Sequence, residues 1–147
     1  MIDRVFHNND LLAVIIRHDY KKQGVEFLTP NSYSQQLGYM NRPTGYVIEP
    51  HVHNIVAREV QLTQEVLYIK SGCLRVDFYT MEQAYLESRI LEAGDVILLA
   101  YGGHGFEVIE ACEMIEVKQG PYAGENDKTR FVPIAKDKIQ IKVNDES

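Results

Sequence analysis

The chain is short of several things, and each shortage excludes something. Its 147 residues include no tryptophan and only two cysteines. These two, Cys73 and Cys112, form no CxxC pair, which argues against a disulfide scaffold or a thiolate zinc ribbon. Two reduced thiols in a cytoplasmic protein are expected instead. Long apolar runs are missing as well. The longest near the N-terminus, "LLAVII", falls far below the about 20 residues that a membrane-spanning helix needs. It is also short for a signal-peptide core and follows Asp3, Arg4 and Asp10. Basic residues are outnumbered, 15 against 21 acidic, for a net charge of −6. Phosphate backbones favour basic surfaces, so a nucleic-acid partner is not expected.

Helical periodicity is scarce too. What the chain has is short runs of Val, Ile, Leu and Tyr punctuated by Gly, Pro, Asn and Asp. These predict strands over 11–17, 45–53, 64–70, 74–79, 86–91, 95–100, 104–109, 113–118 and 138–143. Breakers such as "NRPTG", "KSG", "EAGD" and "YGGHG" separate many of them. Many short strands between turn signals point to an all-β sandwich or barrel. Residues 30–38, "PNSYSQQLG", read as a loop or one short helix. No repeat or linker divides the chain, so 1–147 is expected to form one domain. The alternating "KDKIQIKV" puts Ile139, Ile141 and Val143 on one face. That strand either closes the domain's own sheet or pairs with a second copy, and a homodimer is expected.

Side-chain parity then locates the chemistry. In a strand, alternate residues share a face. His51 and His53 therefore point the same way. Glu65 shares a face with Leu67 and Ile69, and His104 with Phe106 and Val108. Four ionisable groups thus sit on faces expected to turn toward a core. A lone carboxylate there costs several kcal/mol unless it is paired or metal-bound. Three imidazoles and one carboxylate meeting at one point would satisfy one another through a divalent ion. Glu59 is a rival to Glu65. His7 and His18 lie outside this pattern and are expected at the surface.

These residues resemble the cupin family. Its first motif, G-x5-H-x-H-x3,4-E-x6-G, is met by Gly45, His51 and His53, and later by Glu65 and Gly72. Its second, G-x5-P-x-G-x2-H-x3-N, is met by Gly94, Gly102 and His104, with Ala100 in the proline place. The chain departs from the pattern where eleven residues separate His53 from Glu65 and where one residue, not two, separates Gly102 from His104. The final asparagine also has no clear counterpart. The resemblance covers about 45–107 and implies a jelly-roll barrel of two antiparallel sheets. It implies one divalent transition ion (Fe, Mn, Ni, Co, Cu or Zn) held by His51, His53, Glu65 and His104.

Three His and one Glu leave open positions for adjacent oxygens of a small sugar-like or hydroxy-acid ligand. Arg58, Gln64, Tyr101 and Phe106 are the expected contacts to it. The wider chain resembles small single-domain cupins found beside bacterial surface-polysaccharide functions, which implies isomerase or epimerase chemistry. Tyr101 or Glu59 would then serve as the base. An iron-dependent dioxygenase and a binding module without turnover are the alternatives, because the fold does not choose among them.

Overall fold

The computed structural model describes residues 1–143. Of the described residues, 45% are strand and 5% helix, arranged as one strongly curled antiparallel sheet and a second small sheet. Its strands are β1 (Ile2–His7), β2 (Asp10–Ile16), β3 (Gly24–Phe27), β4 (Gly38–Asn41), β5 (Glu65–Tyr79), β6 (Tyr85–Glu92), β7 (Val96–Leu99) and β8 (Gly103–Lys118). In the large sheet the order is β1-β2-β7-β5-β6, with β8 also on β5; β3 and β4 form the small one. None of the helices among the described residues is long and apolar enough to cross a membrane.

The all-β expectation holds at this level, and several boundaries move. The runs at 64–70 and 74–79 are one long strand, β5, and those at 104–109 and 113–118 are one long strand, β8. The reason they look separate is a set of register irregularities between Ile69 and Leu74, where the β5–β8 ribbon bends. Inward positions run Leu67, Ile69 before the bend and Leu74, Val76, Phe78 after it. The parity flips, as an extra residue in one strand requires. Gly72 makes the bend: its φ is +86°, and a Cβ there would lie 2.0 Å from the Ala111 carbonyl oxygen. Strands β1, β3 and β4 were not expected from the sequence; β3 and β4 are only four residues each.

Two expected strands are absent. Residues 46–61 contain no regular structure, so the run at 45–53 is an exposed arm between β4 and β5. A strand exists only beside a neighbour that takes its hydrogen bonds, and among the described residues no strand lies beside it. The C-terminal run at 138–143 reduces to a bridge from Ile141 to Ser88 of β6, with Ser88 N–H donating to Gln140 O at 2.8 Å and Lys142 N–H to Ser88 O at 2.9 Å. It thus follows its own sheet edge, but Ile141 and Val143 stay exposed. Residues 30–37 are turns and coil, and Gly38 opens β4.

The core lies inside the curl and is built from Val5, Leu12, Ile15, Leu67, Ile69, Leu74, Val76, Phe78, Leu91, Ile97 and Leu99. Charge is buried beside it, always paired. Asp95, 1% exposed, accepts from His18 N–H at 2.8 Å, Glu92 N–H at 2.7 Å and Arg17 at 3.2 Å. Arg17 also reaches Asp3 at 2.8 Å, which ties the start of the chain to the β6–β7 turn.

A substitution separates collision from backbone strain. Gly72→Ala adds both, and should cost about 3 kcal/mol or more in urea unfolding. Gly24 has φ +91° with nothing within 4 Å of a built Cβ, so Gly24→Ala should cost only about 1–2 kcal/mol. Equal losses would show that the bend tolerates a side chain.

Candidate functional site

The short turn 100–102 sets the site. Leu99 at the end of β7 pairs with Glu65 at the start of β5. After three connecting residues β8 begins, and its Gly103 pairs with Tyr79 at the far end of β5. Both ends of β5 are therefore held at one place. A flat strand would separate Glu65 from Phe78, the partner of His104, by roughly 40 Å. Here His104 Nε2 lies 3.4 Å from Glu65 Oε1. Gly102 permits the turn: its φ is +85° and a Cβ would sit 2.7 Å from the Tyr79 carbonyl oxygen.

Glu65 points inward with Leu67 and Ile69, as its parity requires. It is half-buried, and the His104 hydrogen bond, helped by one from Glu116, holds its carboxyl down at about 2 against burial. Glu116 is the residue that sequence reasoning missed. It pairs across the ladder with Leu67 and so shares the inward face. Its hydrogen bond to Glu65 pushes its own carboxyl upward, and Lys118 Nζ lies 3.6 Å from Glu116 Oε1. The only available signal was the alternation of Met114, Glu116 and Lys118 within a strand whose register was unknown.

The structure places the four expected ligands as two pairs. Glu65 and His104 meet in the curl. His51 and His53 are together on the exposed arm, with ring centroids 5.2 Å apart in an edge-to-face arrangement. His51 Nδ1 lies 2.9 Å from the Glu49 carbonyl oxygen. A carbonyl only accepts, so Nδ1 carries the proton, and in the neutral ring Nε2 is the nitrogen open to a ligand. Among the described residues, no three His, Cys, Asp or Glu side chains are gathered as a metal-holding group within one chain.

The expected ligand contacts scatter. Arg58 is exposed on the arm. Gln64 is 3% exposed and occupied internally: its Oε1 accepts from Gln35 N–H at 3.1 Å and Ser34 Oγ–H at 3.3 Å. Phe106 is 43% exposed and tilts against the His104 ring, 5.4 Å between centroids. Tyr101 lines a groove of about 930 Å³ with Arg4, Tyr33, Glu59 and Gln64. Neither Glu65 nor His104 lines the groove that holds Tyr101 and Glu59. His7 is half-buried, and the exposed His18 sets Nδ1 3.2 Å from Asp95.

The Glu65–His104 contact has a consequence in acid. A carboxyl held below its ordinary 4.5 contributes stability above that value and loses it as the pH falls toward about 2. In chelator-treated protein, Glu65→Gln should flatten the fall in unfolding free energy across that window. An unchanged acid limb would show that the contact carries no stability. Compared with models of protein families, with curated proteins and with solved structures, the chain gives no match.

Proposed function

We propose that this chain is a metal-binding protein of the cupin type. Its β-fold would be a jelly roll that gathers His51, His53, Glu65 and His104 around one divalent transition ion. The ion's remaining positions would receive adjacent oxygens of a small sugar-like or hydroxy-acid ligand. The observation that carries this reading is the Glu65–His104 pair, drawn together at 3.4 Å from positions remote in the chain. Its donor types are those such an ion takes. Glu65 is held as the anion, and a ligating carboxylate must be deprotonated. The His51–His53 pair supplies two further imidazoles, one with its coordinating nitrogen already set by the Glu49 carbonyl.

When bound, the ion would act as a Lewis acid on the ligand's oxygens. The residues around it do the rest. Glu116 and Lys118 place one carboxyl and one ammonium beside Glu65, where they can bind or orient a polar ligand. Phe106 offers an apolar ring beside His104. Tyr101 and Glu59, the residues expected to move a proton, line the other groove, which favours ligand binding over isomerisation. The unpaired Cys73 and Cys112 fit a reducing, cytoplasmic setting.

Protein purified without chelator should carry close to one divalent ion per chain by elemental analysis. The His51→Ala/His53→Ala variant should lose it, and so should Glu65→Gln/His104→Ala. Wild-type protein free of metal after purification and after dialysis against Zn²⁺ or Mn²⁺ would overturn the proposal.

A further inference from the structure

The two ligand pairs belong to one site only if the arm moves onto a sheet, and the sheet has a place for it. Strand β8 runs for 16 residues and pairs only with β5. Its other edge is open along its whole length among the described residues, a template for another strand. The core is open on that flank too. His104, Phe106 and Val108 stand opposite Phe78, Val76 and Leu74. Cross-strand partners share a face, so these side chains lie on the core face. Yet Phe106 is 43% and Val108 53% exposed, while Phe78, Val76 and Leu74 are at most 1% exposed. The sheet ends one strand too early to cover them.

The arm has the matching deficit. Its Val47, Ile48, Val52, Ile55 and Val56 are each more than half exposed. From Val47 to Leu62 no backbone group bonds to the rest of the described chain. Phe106 and Val108 of β8 and the apolar side chains of the arm are thus left bare together.

We propose that the arm of a second copy fills this edge, so that each metal site takes Glu65 and His104 from one chain and His51 and His53 from its partner. This rests on the metal-binding reading above. The second copy, rather than the same chain, follows from where the arm is rooted. Glu59–Leu62 line the groove with Phe6, Leu28 and Tyr33, on the β1–β2 flank of β5. Strand β8 lies on the opposite flank. An arm serving its own edge would have to leave that groove and pass to the far flank of β5. Two copies related by a two-fold axis exchange arms without crossing, and each closes the other's core.

The test is complementation between variants. His51→Gln/His53→Gln and Glu65→Gln/His104→Gln chains carry different tags, are co-expressed, and are purified through both tags in turn without chelator. Each variant alone should hold no metal. The mixed dimer should hold one ion per dimer, half the wild-type content, because one of its two sites combines the intact pairs. Wild-type protein with metal and a mixed dimer without any would overturn the exchange while leaving the metal site standing. So would wild-type protein that binds metal yet sediments as a monomer. Wild-type protein without metal would overturn both readings. Should the double variants fail to fold, His53→Gln and Glu65→Gln alone enter the same mixture.

Discussion

The three-residue connection between β7 and β8 governs this protein. Leu99 is hydrogen-bonded into the ladder beside Glu65 and Gly103 into the ladder beside Tyr79, so the two ends of β5 cannot lie apart. A 15-residue strand held at both ends must bend. It does so at Gly72, where a left-handed backbone and the close Ala111 carbonyl leave no room for a side chain. The bend reverses which residues face inward, rolls the sheet over its core and brings a carboxylate to an imidazole. Site and core share this one geometric cause.

Electrostatics inside the curl follow from that closure. Glu65 would be costly to ionise at its depth without a partner, and His104 provides one. Glu116 then sits against a carboxylate already committed to the anion, and its own ionisation becomes harder. The same logic of pairing holds the opposite end together, where Arg17 spans Asp3 and Asp95. Removing one member of such a pair would leave the other charge buried and uncompensated.

Parity was the most readable part of the sequence. Glu65 among Leu67 and Ile69, and His104 with Phe106 and Val108, are faces that any pleated strand imposes, and both are present in the sheet. Less readable was where strands stop. The runs on either side of "SG" at 71–72 look like two strands because the bulge breaks their period, although the backbone continues through. Glu116 was hidden for a related reason: its inward direction depends on the register of β8 against β5, and a one-residue slip would turn it out. The histidine pair at 51 and 53 has the pattern of a strand but no neighbouring strand among the described residues, and pattern alone does not supply hydrogen-bond partners.

By itself, then, the sequence determined the local quantities: β propensity, alternation, the glycines at turns, and four residues whose chemistry suits a metal. These are set by side-chain type and by a period of two, which act over a few residues. Only the tertiary structure decided what depends on closure. It made two pairs of strands into two long bent ones and buried Gln64 among internal amides. It set Glu116 beside Glu65, and it left residues 46–61 as an arm outside the sheet. Each of those outcomes turns on which backbone groups find partners across the fold, a matter of register and topology.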